Sequence, residues 1–177
     1  MYLALCFSYF WFFQTYDKII ELNPTLPPAR AELLASLIDD VSERTGIDAE
    51  ILVALSFQES RFKEKALSCP QPGSCDHGLV QVNSLWVKHW KLNKKKLIKD
   101  DEYNLEVATR ILVDLKDRFG KEHQWWGRYH SSTPKFRAVY QKEVKKWLGD
   151  VHGDNLLVWR TFPHAFILSD AQRCLRR

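Results

Sequence analysis

Leu52, Leu55, Glu59 and Phe62 recur at steps of three and four along residues 49–62 (AEILVALSFQESRF), a segment that reads as a helix. The spacing sets a carboxylate among apolar side chains on the face that a helix normally turns toward a core. Any fold of this chain must accommodate that placement. An ionised carboxylate buried there is costly unless it is paired, so the group tends to keep its proton. A carboxylic acid protonated near neutral pH is what a general acid must be. The plainer alternative puts Glu59 at the edge of the stripe, directed to solvent or toward Arg61 or Lys63, and helical spacing alone does not separate the two.

The chain has 177 residues, enough for one domain with a full core and short for two. Its proportions, 45% hydrophobic and 27% charged, are those of an ordinary folded domain. Seven Trp, six Tyr and ten Phe exceed what a core alone needs and suit a groove that stacks on sugar rings or other flat ligands. The net charge of +4 is mild. The basic run Lys94, Lys95 and Lys96, with Lys91 and Lys99 nearby, lies in an expected loop and has the character of a solvated face. Nothing beside it resembles a nucleic-acid module, so no nucleic-acid partner is expected.

Residues 3–13 (LALCFSYFWFF) are almost wholly apolar but too short to span a bilayer, and no transmembrane span is expected. Tyr2 and Leu3 stand where a secretory signal would carry Lys or Arg, and no Ala-x-Ala precedes Asp17. The segment is therefore read as a hydrophobic helix or docking segment rather than a cleaved signal. Asn23, Pro24, Pro27 and Pro28 make a linker or entry turn after it. Helices are expected over residues 29–44 with Gly46 beyond the end, from Asp48 as N-cap, over 84–90, over 101–119 with Gly120 as stop, and from Thr133-Pro134 to Gly149. Residues 150–177 mix apolar and basic side chains without period. The expected organisation is an apolar N-terminal segment and linker over 1–28, one catalytic domain over 29–149, and an extension over 150–177 that packs on it. The fold class is mainly α, with at most a small hairpin around residues 69–82.

Cys69 and Cys75 bracket a Pro- and Gly-containing turn, so a disulfide is plausible in an oxidising compartment. A zinc site from Cys69, Cys75 and His77 is the alternative, and it lacks a fourth ligand at familiar spacing. No metal or cofactor is expected. Cys6 and Cys174 either pair with each other or stay free.

Three features follow one another in order: Glu59-Ser60 at a helix end, Gly78-Leu79-Val80-Gln81, and Trp125-Trp126-Gly127-Arg128-Tyr129-His130 before the Thr133-Pro134 helix. This order resembles the SLT-type lytic transglycosylases, lysozyme-like enzymes that cut bacterial peptidoglycan. Asn104-Leu105 stands at that family's Asn-Ile helix start, with Thr109 where a small residue is common, and Val139-Tyr140 to Val144 stands for its closing segment. Each motif alone is weak, whereas all of them in order, from about residue 29 to 144, are specific. Val80 replaces the usual Met and His130 the usual Asn, departures that touch substrate fit and remove no reacting group.

The resemblance implies a single domain of goose-lysozyme/SLT type with Glu59 and Tyr129 as catalytic residues, the Tyr129 hydroxyl orienting the Glu59 carboxyl. It implies substrate contacts from Ser60, Gly78, Val80, Gln81, Asn83 and His130. Of these, Asn83 reads more readily as an N-cap, Ser60 as a helix-end hydroxyl and Gly78 as a turn glycine. The implied partner is the peptidoglycan glycan strand, in the bacterial envelope or periplasm. A phage virion, or an envelope secretion or conjugation complex, would be the setting. Most glycosidases need a second carboxylate, and none stands in a motif here. Substrate-assisted chemistry by the muramic acid N-acetyl group would make one acid suffice. Asp76, in the loop beside the cleft, keeps open a goose-type lysozyme that activates water, and a non-catalytic glycan-binding assembly module is the remaining alternative.

Overall fold

The computed structural model describes residues 14–148, so the apolar run 3–13, Cys6, Cys174 and the extension 150–177 lie outside the described residues. Residues 14–22 are helical (α1), and α2 (Pro28–Thr45) and α3 (Ala49–Ser60) follow. Three short strands come next, β1 (Leu67–Gln71), β2 (Ser74–His77) and β3 (Val82–Asn83), then α4 (Ser84–His89), α5 (Lys94–Lys99) and α6 (Asp101–Phe119). A 3-10 turn (Trp125–Tyr129) leads into α7 (Pro134–Leu148). The architecture is mainly α, as the sequence indicates.

The helix boundaries have local causes. Pro28 begins α2, and Gly46 closes it in the left-handed conformation that a side chain disfavours, with φ 68°. Asp48 caps α3 by accepting from the Glu50 N–H, and Asp100 caps α6 by accepting from the Tyr103 N–H. The lysine run, expected as loop, folds into the single turn and a half of α5. Asn93 accepts from the Lys96 N–H to start it, and Leu97 is fully buried to hold it.

The helix carrying Glu59 differs from its sequence reading in kind. Every residue from Ile51 to Phe57 is buried, so α3 is a central helix enclosed on all sides rather than one with a single inward stripe. It also ends earlier, at Ser60, because Arg61 and Phe62 both adopt positive φ, 56° and 62°. That reversal drops Phe62 into the core against Phe57, with ring centroids 5.4 Å apart. The core likewise includes Ile19 of α1, fully buried, and Thr15 donates to Asp39 on α2 at 2.5 Å. Residues 14–22, grouped by sequence with a separate N-terminal segment, are thus packed into the body of the domain. Arg30 of α2, also buried, donates to Asp101 at the start of α6.

The strands form one antiparallel sheet in the order β1-β2-β3, with Ser68 opposite Asp76 and Asp76 opposite Asn83. The two-residue third strand turns the expected hairpin into a three-stranded sheet. Cys69 and Cys75 are joined by a disulfide across the β1–β2 turn. With both sulfurs bonded to each other, neither is a free thiolate ligand, and His77 is buried with Nδ1 hydrogen-bonded to the Val82 carbonyl at 3.0 Å. Among the described residues no helix is long and apolar enough to cross a membrane.

Gly78, between β2 and β3, is buried at φ 77°, where an added Cβ would meet the Leu97 carbonyl oxygen at 2.0 Å and Asn104 Nδ2 at 2.3 Å. Gly73 shares the conformation, φ 78°, with open space around it. Gly78→Ala should therefore lower unfolding free energy by about 3 kcal/mol, and Gly73→Ala by only about 1 kcal/mol, in chemical denaturation.

Candidate active site

Glu59 sits on the last turn of α3, where α7 crosses it. Trp147 of α7 packs edge-on against Phe57 at 5.0 Å and donates from Nε1 to Gln58 Oε1 at 2.8 Å. Arg61 lies 4.2 Å over Phe57 and 5.0 Å over Trp147. This contact presents Tyr140, whose buried hydroxyl donates to Glu59 Oε1 at 2.6 Å. His130 then stacks on the Tyr140 ring, 4.6 Å between centroids and 5° from parallel.

Part of Glu59 faces solvent, yet loss of water around its carboxyl dominates its titration. Burial raises its pKa from 4.5 to about 7, the Tyr140 hydrogen bond works in the opposite direction, and the negative charge of Asp76 adds to the rise. The plainer reading, a solvated Glu59 paired with Arg61 or Lys63, does not describe this carboxyl. Burial likewise lifts Tyr140 and Tyr129 well above an ordinary phenol, with the charge of Glu59 contributing to both, so both hydroxyls remain donors. Desolvation lowers His130, against the pull of Asp76, and the ring on the rim is neutral at pH 7.

Tyr129 is placed differently from its sequence reading. Its hydroxyl donates to the Val80 carbonyl at 2.9 Å, and the hydrogen bond to Glu59 comes from Tyr140 instead. The 3-10 turn directs Tyr129 at the 78–81 turn, whereas the crossing of α7 over α3 brings Tyr140 to the acid. Tyr140, in sequence part of the closing segment of the family pattern, lies on the buried face of α7 with Val144 and Leu148. A tyrosine on such a face still needs a partner for its hydroxyl, and that was the available signal.

The remaining expected contacts divide by burial. Gly78, Val80 and Gln81 are all buried. Gln81, at φ 49°, donates from Nε2 to the Gly78 carbonyl at 2.7 Å, and the Val80 N–H donates to Asn104 Oδ1 at 2.8 Å. Ser60 donates to the Ser56 carbonyl at 3.1 Å, a helix-end bond. Asn83 caps α4 by accepting from the Leu85 N–H at 2.9 Å. It also donates to Asp76 Oδ1 at 2.6 Å, which holds that carboxylate on the central strand of the sheet. His130 alone of the six is exposed.

Asn104, a helix-start residue by sequence, braces the turn before it as well. It is fully buried, and its Nδ2 donates to the carbonyls of His77 at 2.8 Å and Leu97 at 3.0 Å while Oδ1 receives Val80. The resulting assembly is an acid titrating near neutrality, oriented by one tyrosine, with a second carboxylate near enough to perturb it. Such a set can donate a proton to a leaving oxygen and take one back.

A family model described as the transglycosylase SLT domain matches residues 36–146. Invasion protein IagB of Salmonella typhimurium is 32% identical over 103 residues, 56% of this chain and 64% of the relative. Protein IpgF of Shigella flexneri is 26% identical over 118 residues, 64% of this chain and 75% of the relative. The chain thus spans a little under two thirds of the length of IagB. No solved structure matches.

Two substitutions should move Glu59 in opposite directions. Tyr140→Phe removes a bond to the charged form and should raise the Glu59 pKa by about one unit, while Asp76→Asn removes a like charge and should lower it. Carboxyl-carbon NMR titration reads both. Stability follows the same proton. A raised acid contributes stability that is fully present below pH 4.5 and is lost as pH climbs through about 7. Relative to wild type, Glu59→Gln should therefore gain up to about 3 kcal/mol in denaturation at pH 8 and show no such gain at pH 4.

Proposed function

Because the chain belongs to the transglycosylase SLT domain family, we propose that it is a peptidoglycan lytic transglycosylase. It cleaves the β-1,4 bond from N-acetylmuramic acid to N-acetylglucosamine and leaves 1,6-anhydromuramyl ends. The observation that carries the reading is the desolvated Glu59 carboxyl, titrating at about 7 under the Tyr140 hydroxyl. At neutral pH it is available in both protonation states, which suits a group that must act first as acid and then as base.

In the first step Glu59 gives its proton to the glycosidic oxygen as the bond to the anomeric carbon breaks. The substrate's own N-acetyl oxygen attacks that carbon and spreads the positive charge. Glu59, now ionised, keeps its hydrogen bond from Tyr140, which steadies the new charge and the carboxyl's orientation. In the second step Glu59 takes the proton of the sugar's 6-hydroxyl, whose oxygen closes on the anomeric carbon and releases the N-acetyl oxygen. No water is consumed, and one carboxyl serves both steps. Tyr129 acts indirectly, by pinning the Val80 carbonyl and hence the turn behind the cleft.

The charge that Asp76 exerts on Glu59 favours one second reading, a hydrolase in which Asp76 activates water on the same bond. For the setting, the relative named as an invasion protein favours a machine that crosses the bacterial envelope over a phage particle. The enzyme would open the wall locally at the periplasmic face of such a machine.

Mass spectrometry of the soluble products from purified peptidoglycan distinguishes the readings. Wild type should release anhydromuramyl ends and Glu59→Gln should release none, a loss of at least about a thousandfold. Reducing ends in place of anhydro ends would transfer the assignment to the hydrolase, and full activity in Glu59→Gln would remove Glu59 from its role.

A further inference from the structure

His130 departs from the family pattern, which has Asn at this place, and its side chain has a definite partner. Among the described residues no hydrogen bond fixes the imidazole. What holds it is the face of Tyr140, 4.6 Å between centroids and 5° from parallel. Two neutral rings in this offset, parallel arrangement attract one another through their faces.

Both rings are brought to the contact by separate anchors. Gln141, next to Tyr140 on α7, donates from Nε2 to the Gln124 carbonyl at 2.8 Å. It reaches the 3-10 turn through the space left at Gly127, where an added Cβ would lie 2.4 Å from Gln141 Cγ. On the other side Tyr129, the residue before His130, is pinned to the Val80 carbonyl at 2.9 Å. His130 itself closes the turn in helical geometry, φ −76° and ψ −45°.

The plane of the Tyr140 ring bears directly on the acid. Conjugation keeps a phenol O–H in the plane of its ring. Rotation about the axis from Cβ to the hydroxyl therefore leaves the oxygen in place and swings the proton off its target. A hydrogen bond weakens steeply once the donor points away from the acceptor. Helix α7 sets the Tyr140 oxygen 2.6 Å from Glu59 Oε1, and the flat ring lying on Tyr140 resists rotation about that axis.

We propose that His130 is a positioning residue: its stacked ring sets the plane of Tyr140 and thereby aims the Tyr140 O–H at Glu59. The catalytic consequence deepens the function proposed above and rests on it. His130 then acts through Tyr140 rather than through the glycan. Asn would offer no ring at this place, so the role belongs to the departure from the family pattern.

Carboxyl-carbon NMR titration of Glu59 tests this in four proteins: wild type, His130→Ala, Tyr140→Phe and the double variant. A misaimed O–H raises the Glu59 pKa, whereas simple loss of a cover admits water and lowers it. The effect of cover is present with or without the hydroxyl, so comparing the two backgrounds isolates the aim. The shift caused by His130→Ala should be more positive by about half a unit when the Tyr140 hydroxyl is present. His130→Phe, which keeps a flat ring, should titrate like wild type. On soluble glycan strands His130→Ala should lower kcat about fivefold with KM changed less than about twofold, and His130→Phe should restore kcat. Equal shifts in the two backgrounds would overturn the proposal, and so would a raised KM at unchanged kcat, the mark of direct substrate contact. The titrations need no turnover, so a wild-type protein that cleaves nothing would count against the reaction while the four pKa values still decide the role of His130.

Discussion

One buried carboxamide organises the region on which the candidate site depends. Asn104 reaches from α6 to three backbone groups, the carbonyls of His77 and Leu97 and the N–H of Val80. These belong to β2, α5 and the turn after β2, elements that share no regular hydrogen-bond ladder with α6. Buried backbone groups left without partners would each cost on the order of 1–3 kcal/mol, so one asparagine satisfies what water cannot reach. The approach is tight enough that only glycine fits at position 78. From this bracket the order passes outward: the Val80 carbonyl receives Tyr129, the Gln81 amide closes its own turn, and Asn83 caps α4 while it holds Asp76.

The acid is placed from the other side of the cleft. α3 is enclosed by apolar neighbours from Ile51 to Phe57 and surfaces at its C-terminal turn, where Glu59 stands. α7 closes over that turn through Trp147, Phe57 and Arg61, and Tyr140 comes with it. The titration of Glu59 is thus a balance between two walls. Burial against α7 pushes the carboxyl toward its neutral form, the Tyr140 hydroxyl opposes this, and Asp76 on the sheet adds a like charge across the gap. Desolvation is the largest of the three effects and the charge of Asp76 the smallest.

Much of the fold was legible because its signals are local. Asp48, Gly46, Gly120 and Pro134 mark helix ends through their own backbone and side-chain chemistry, and the helical spacing of Leu105, Ala108, Leu112 and Leu115 marks a buried face. The acid was legible for a related reason: a carboxylate in an apolar helix is anomalous wherever the helix lies. Less was legible where two local preferences competed. α5 looked like a solvated lysine loop, and only the burial of Leu97 beneath it makes a helix worth forming. α3 appeared one-sided, because periodicity cannot report neighbours on the remaining faces.

By itself, then, the sequence determined a mainly helical domain, the chemical identity of the acid and the order of the motifs around it, since each is set by residue type and near-neighbour spacing. The tertiary structure decided which tyrosine meets that acid and which motif residues are buried in the turn beside it. Tyr129 and Tyr140 are eleven residues apart, and both lie within the charge field of Glu59. Only the crossing of α7 over α3 gives the hydrogen bond to one and not the other. Such a choice depends on the relative placement of elements 81 residues apart in the chain, and no local periodicity encodes it.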